Sequence, residues 1–142
     1  MRVQEILKTK GSDVVTVLPA DTIRFVAKVL ATRRIGAAVV VEGQQVVGVL
    51  SERDIVRGIA EHGEEALTLK ARDLMSKDVI VCGVDDTIRE LMATMTNKRI
   101  RHLPVMKGAD LIGIVSIGDV VKNRVEETET EANVLRDYVM AR

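Results

Sequence analysis

Apolar residues follow two kinds of pattern along the chain. Short runs rich in β-branched residues predict strands, and they occur at residues 14–17 (VVTV), 37–41 (AAVVV) and 46–50 (VVGVL). Between the first two runs, apolar residues recur at the i, i+3, i+4, i+7 spacing of one helix face, at Ile23, Val26, Ala27 and Leu30. We expect Asp21 to cap this helix. Residues 51–62 (SERDIVRGIAEH) predict a second, short helix.

The same order of elements occurs twice. Residues 21–24 (DTIR) recur as residues 86–89 at an offset of 65, and the same offset relates GVLSERD at 48–54 to GIVSIGD at 113–119. Upstream, residues 3–7 resemble residues 71–75 at an offset of 68. The chain is therefore a tandem duplication of a strand-helix-strand-strand-helix unit.

The repeat predicts a fold that mixes helices and strands, of the α/β class and more specifically α+β. We expect two tandem β-α-β-β-α repeats packed with pseudo-twofold symmetry, since either half alone would bury only a small core. The predicted domains are residues 1–62 and 63–126. Residues 127–142 form a charged, weakly helical tail, which we interpret as a solvated arm or a dimer contact.

Composition narrows the classes of function. The 142 residues carry 21 basic and 21 acidic side chains, and this neutral balance argues against a nucleic-acid surface. There is one Phe, one Tyr and no Trp, so the sequence cannot form an aromatic platform on which bases stack. No apolar run is long enough to span a membrane, and the N-terminus lacks a secretory pattern. A cytoplasmic location follows, with the single Cys82 as a core residue.

The motif Gly-x-x-Ser-x-x-Asp, present in both copies, has a structural interpretation. A serine followed three residues later by an acid, just before an apolar run, is the pattern of a helix capping box. Ser51 would cap the helix predicted over residues 51–62, and Asp54 would return a hydrogen bond to Ser51. Ser116 and Asp119 would do the same in the second copy.

The same motif also has a functional interpretation, which stays open beside the first. A helix N-terminus attracts phosphate, and an acidic residue one turn in can accept hydrogen bonds from ribose hydroxyls. Gly48 and Gly113 would leave room for close backbone approach. Arg53 lies within the first motif, whereas Arg101 and His102 precede the second. Their counterparts in the first copy are Gly36 and Ala37, so the two sites are not equivalent.

The sequence contains no recognisable catalytic motif. His102 has no neighbouring carboxylate in sequence, and neither serine of the repeated motif has an evident base or third partner. We therefore expect no enzyme and no metal requirement, and the acidic run at residues 126–131 is expected to be a solvated face.

The duplicated unit resembles a pair of cystathionine-β-synthase (CBS) domains, also called a Bateman module. GVLSERD and GIVSIGD match the Gly-x-apolar-Ser/Thr-x-x-Asp motif of that family, RHLPV at 101–105 matches its usual second strand, and DTI precedes the first helix in both copies. The resemblance extends from about residue 3 to about residue 125.

The resemblance implies that adenine nucleotides bind in clefts between the paired domains. One implied site consists of Ser116, Gly118, Asp119, Arg101 and His102 with Lys10, Val14, Val15, Ile35, Gly36 and Ala37. The other consists of Ser51, Arg53 and Asp54 with Lys77, Val79, Ile80, Ile100 and Leu103. In each, the aspartate would hold the ribose, the serine and basic residues the phosphate, and aliphatic residues the adenine.

The function that the resemblance implies is a stand-alone regulatory module, a homodimer that senses AMP, ATP or NAD(H) and modulates an unknown partner protein. S-adenosylmethionine shares the adenine and ribose, so the sequence leaves the ligand open. The alternatives are a structural or protein-interaction module with degenerate sites, in which Ser-x-x-Asp only caps helices, and an enzyme acting on a nucleotide.

Overall fold

The computed structural model describes residues 1–141. Its helices are α1 (Val3–Lys10), α2 (Ile23–Arg33), α3 (Glu52–His62), α4 (Ala71–Leu74), α5 (Ile88–Lys98) and α6 (Ile117–Met140). Its strands are β1 (Thr16–Val17), β2 (Ala37–Glu42), β3 (Gln45–Ser51), β4 (His102–Lys107) and β5 (Asp110–Ser116). The α+β fold class is confirmed, and the helix-strand-strand-helix part of the predicted unit recurs in both copies, whereas its first strand is formed only in the first copy. A short helix, α1 or α4, precedes each copy. In the part described, no helix is long and apolar enough to cross a membrane.

The chain divides into two compact units whose boundaries differ from those of the sequence repeats. One unit consists of residues 13–80 and 108–111, and the other of residues 1–12, 81–107 and 112–142. Helix α1 therefore belongs with the second repeat, and α4 belongs with the first. The boundaries at 62 and 126 remain a prediction about the repeats along the sequence.

The unit of the first repeat contains a three-stranded sheet in the order β1-β2-β3. Strand β1 is parallel to β2, and β2 is antiparallel to β3, with a register shift between Val40 and Val41. The predicted helix face is buried at Ile23, Val26 and Leu30, against apolar residues of the sheet. The i, i+3, i+7 spacing thus serves as the core-facing stripe of α2.

The unit of the second repeat contains β4 and residues 112–116 of β5, which form a two-stranded sheet. In place of β1 it has a single parallel bridge, in which the Cys82 N–H donates to the Pro104 carbonyl and the Met106 N–H to the Cys82 carbonyl, both at 2.9 Å. Its buried residues include Ile88, Leu91 and Met95 of α5. Cys82 is buried as predicted.

The predicted cap of α2 was wrong by one residue. Thr22 is the N-cap, and its hydroxyl oxygen accepts from the Phe25 N–H at 3.2 Å. Asp21 instead accepts from the Leu18 N–H at 2.8 Å, which closes the turn that precedes the helix. The second copy uses Thr87 in the same way, on the Glu90 N–H.

The C-terminal region also differs from the expectation of a short helix followed by a separate tail. Helix α6 is continuous for 24 residues and extends to Met140. From Thr128 onward every described residue of the helix is exposed.

Candidate functional site

The first repeated motif forms a complete capping box at the start of α3. The Ser51 N–H donates to Asp54 Oδ2 at 2.9 Å, and the Ser51 hydroxyl donates to the same oxygen at 3.0 Å. The Asp54 N–H donates in return to Ser51 Oγ at 3.3 Å. Both side chains are half-buried, because β3 ends at Ser51 and runs directly into the helix.

The second motif repeats this geometry at the start of α6. The Ser116 N–H and hydroxyl donate to Asp119 Oδ2 at 2.9 and 3.0 Å, and the Asp119 N–H donates to Ser116 Oγ at 3.2 Å. The capping interpretation of Ser-x-x-Asp is therefore confirmed in both copies. In both, the capping bonds fall on one carboxylate oxygen, Oδ2.

A lysine from α1 completes the site at Asp119. Lys10 Nζ lies 2.6 Å from Asp119 Oδ2 and also donates to the Ile114 carbonyl of β5 at 2.8 Å. Lys10 was predicted to share a site with Asp119, and the two are in contact within one compact unit. The Ile114 carbonyl was not predicted, because a backbone acceptor leaves no signal in side-chain patterns.

These contacts lower the pKa of Asp119. Burial by itself raises the pKa, but the hydrogen bond from Lys10, the bonds from Ser116 and the positive charge of Lys10 outweigh it. The carboxylate is therefore ionised at neutral pH, and both of its oxygens can accept hydrogen bonds from hydroxyl groups.

The cation beside Asp54 is different. Arg57 Nη1 lies 3.9 Å from Asp54 Oδ1. Among residues 1–141 no ion pair joins Asp54 to Lys77, the lysine predicted for the same site. Arg57 was not named from the sequence, although its position one turn after Asp54 could have indicated it. Arg53 is exposed on the first turn of α3, where the second copy has Gly118.

In each copy, the backbone carbonyl of the residue before β2 or β4 accepts a hydrogen bond from the first residue of α3 or α6. The Ile117 N–H donates to the Arg101 carbonyl at 2.8 Å, and the Glu52 N–H donates to the Gly36 carbonyl at 2.9 Å. Arg101 is exposed and His102 is half-buried at the start of β4. These bonds place Arg101 beside the N-terminus of α6, and Gly36 beside that of α3.

The two motif glycines do not have the open surroundings that were predicted. A Cβ on Gly48 would lie 2.5 Å from Met75 Sδ, and one on Gly113 would lie 2.7 Å from Leu7 Cδ2. The space beside each glycine is thus filled by an apolar side chain from α1 or from the residue after α4. The glycines allow these short helices to pack on β3 and β5.

The remaining predicted residues are divided between the compact units. Those in the unit of the first repeat are Val14, Val15, Ile35, Gly36, Ala37, Lys77, Val79 and Ile80, and those in the other unit are Ile100 and Leu103. The aliphatic set predicted with Asp119 therefore lies wholly outside the unit of that aspartate, and the set predicted with Asp54 lies only in part within its unit. The inclusion of both sets in the sites stays a prediction. Ile35 and Gly36 line a cavity of about 430 Å³ with residues of α2 and α3, including Glu52.

Comparison with known proteins identifies the family. The model of the CBS domain matches residues 3–61 and again residues 71–126, so the chain belongs to the CBS domain family and contains two such domains. The mitochondrial CBS domain-containing protein CBSX3 of Arabidopsis thaliana is 33% identical over 146 residues, which cover 96% of this chain and 71% of that protein. The resemblance inferred from the repeated motif is confirmed.

Solved structures agree with this assignment. A CBS-domain containing protein from Agrobacterium tumefaciens superposes with a TM-score of 0.85 at 42% identity, covering 87% of this chain and 99% of that one. A CBS domain protein from Pyrobaculum aerophilum, whose structure is a complex with AMP, has a TM-score of 0.74 at 32% identity. That match covers 84% of this chain and 89% of the other.

Proposed function

We propose that the chain is a regulatory module that binds an adenine nucleotide at one or both Ser-x-x-Asp helix N-termini. The observation that carries the proposal is the repeated geometry of Ser51 with Asp54 and Ser116 with Asp119, in which an ordered carboxylate lies beside the positive end of a helix dipole. The AMP complex of the Pyrobaculum aerophilum relative supports this class of ligand. AMP, ATP and NAD(H) all remain candidates.

Capping and ligand binding can use the same aspartate. The cap occupies Oδ2 of Asp119 and Oδ2 of Asp54, so Oδ1 can accept from a ribose hydroxyl while the cap stays intact. An ionised carboxylate has enough lone pairs for both sets of bonds. We therefore propose that the cap holds each carboxylate in place for the ribose.

The two positions differ in their basic residues, which should give them different affinities for phosphate. Asp119 is in contact with Lys10, and Arg101 and His102 lie at the adjacent strand start. Asp54 is accompanied by Arg53 and Arg57 of its own helix. We propose that both sets bind phosphate groups.

The second candidate is a module that binds proteins and takes no nucleotide. It is favoured by the completeness of both capping boxes, since each Ser-x-x-Asp is already satisfied by its own helix. In that case, Asp54 and Asp119 contribute only to stability.

A calorimetric and thermal-shift panel separates the two candidates. The ligands are AMP, ADP, ATP, NAD, NADH and S-adenosylmethionine. The proteins are the wild type, Asp54→Ala, Asp119→Ala and the control Asp110→Ala, which replaces an exposed aspartate at the start of β5. A ligand at about 100 times its Kd adds roughly 2.7 kcal/mol of stability.

The proposal predicts a shift for at least one ligand that is lost in Asp54→Ala or Asp119→Ala and retained in Asp110→Ala. If both variants only lower the stability of the ligand-free protein, and no ligand binds the wild type, the capping interpretation is sufficient and the search moves to protein partners. We propose that the chain has no catalytic role. Turnover of ATP or NAD by the purified protein would contradict this and support the enzyme hypothesis.

Three further features belong to this proposal. We propose a homodimer, a regulated protein partner and a cytoplasmic location. A monomer at micromolar concentration in analytical ultracentrifugation would contradict the first of these.

A further inference from the structure

The exposed side of α6 has a regular apolar stripe. Residues at alternating spacings of four and three are apolar or small, namely Val121, Val125, Thr128, Ala132, Leu135 and Val139. All six are exposed, with Leu135 at 64% and Val139 at 58%. This spacing is the heptad pattern of a coiled coil, in which Val125, Ala132 and Val139 take the a positions and the other three take d.

Among residues 1–141, the C-terminal half of α6 lacks the packing of an apolar face that normally stabilises a helix. Isolated helices of fewer than about 12–15 residues are marginal in water, and most helical stability in proteins comes from packing of an apolar face. The stripe residues of this half, Thr128, Ala132, Leu135 and Val139, are all exposed and so are not buried by packing within the described chain. A second helix along the stripe would bury the apolar residues and stabilise this half of α6.

The charged residues on either side of the stripe favour a second copy of α6 as the partner helix. In this register Arg124 and Glu131 occupy g positions, and Glu129 and Arg136 occupy e positions. A parallel, in-register pair of α6 helices places each g residue against the e residue five positions later in the partner. Arg124 then meets Glu129 of the partner subunit, and Glu131 meets Arg136 of the partner subunit, so both contacts join opposite charges.

The antiparallel arrangement lacks this complementarity. A pair centred between Thr128 and Ala132 would place Glu129 against Glu129 of the partner subunit, and Lys122 against Arg136 of the partner subunit. Like charges at such positions oppose pairing.

We propose that α6 pairs with α6 of a second copy of this chain in a parallel, in-register coiled coil over residues 121–139. This inference does not depend on nucleotide binding. It goes beyond a general homodimer, because it names the helix, the register and the orientation.

Cysteine cross-linking tests the register. The full chain with Leu135→Cys places a thiol at a d position on the proposed twofold axis, and the control Asp137→Cys places one at the outward f position of the same helix. Cys82 is buried and is kept in both proteins. Mild oxidation should give a disulfide-linked dimer of Leu135→Cys and none of Asp137→Cys. Equal cross-linking of the two, or none of Leu135→Cys, would overturn the proposal.

Charge exchange tests the orientation. Arg136→Glu should weaken the dimer roughly tenfold in sedimentation equilibrium, because two attractive pairs become repulsive. Adding Glu131→Arg restores opposite charges and should recover the wild-type dissociation constant. A double variant as weak as the single one, or a wild type that is monomeric throughout, would rule out the parallel pair. Far-UV circular dichroism checks that each variant is folded.

Discussion

Lys10 Nζ lies 2.6 Å from Asp119 Oδ2, which joins the last residue of α1 to the first turn of α6. Because Lys10 also donates to the Ile114 carbonyl, one side chain connects α1 to the end of β5 as well. The N-terminal helix thus contributes a charge to a motif more than a hundred residues later in the chain. The second copy of the motif therefore differs electrostatically from the first, despite the same capping geometry.

Replacing Lys10 should lower stability. In Lys10→Met the Asp119 carboxylate loses its ion pair, and we expect the free energy of unfolding to fall by about 0.2–1 kcal/mol, the usual range for solvent-accessible ion pairs. Urea denaturation measures this. Lys8→Met is the matched control, since Lys8 is exposed on the same helix. Equal losses in both variants would contradict a specific contribution from the Lys10 contact.

The lowered pKa of Asp119 predicts a loss of stability in acid. A carboxyl group with a lower pKa in the folded than in the unfolded state stabilises the fold above its unfolded pKa, about 3.9 for Asp. That contribution is lost as the pH falls below this value and through the folded pKa. Asp119→Asn should therefore have a shallower decline in melting temperature than wild type as the pH falls below about 4. Parallel curves for the two proteins would show that Asp119 makes no such contribution.

The motif glycines should tolerate alanine poorly. In Gly48→Ala the new Cβ would meet Met75 Sδ at 2.5 Å and the Ser76 carbonyl oxygen at 3.0 Å, and a backbone atom cannot move aside as a side chain can. We expect a loss of about 1–3 kcal/mol, the usual cost of overpacking. Gly113→Ala should lose less, because the atoms it meets belong to the flexible Leu7 side chain.

Gly83→Ala is the control for both glycine variants, since a Cβ there has no neighbour within 4 Å. Denaturant unfolding should rank the losses as Gly48 above Gly113 above Gly83. A Gly83→Ala variant as unstable as Gly48→Ala would contradict close packing as the cause of the loss.

Cys82 should be unreactive in the folded protein. Burial and the nearby Asp86 carboxylate raise the pKa of its thiol to about 12. Because the thiolate is the reactive species, alkylation by iodoacetamide at neutral pH should be very slow in the native state and fast in urea. Mass spectrometry measures the modified fraction. Rapid native labelling would show that the Cys82 region opens readily.

The Ser-x-x-Asp caps illustrate how much of the site was predictable from local sequence. A capping box involves residues three apart, so its donors and acceptors are held by one turn of helix whatever the rest of the chain does. The cap of α2 was misassigned for the same local reason, since Asp21 and Thr22 are both good capping residues and adjacent. The choice between them depends on where the preceding turn ends, where Asp21 binds the Leu18 N–H.

The sequence by itself determined the tandem repeat, the helix-strand-strand-helix order within each copy, the family and the two capped helix starts, because these depend on spacings of a few residues and on a repeated motif. Only the tertiary structure decided that α1 joins the second repeat, that Lys10 pairs with Asp119, and that Leu7 and Met75 fill the space beside Gly113 and Gly48. These contacts join residues that are distant along the chain. They depend on how the helices pack against the strands, which no local pattern records.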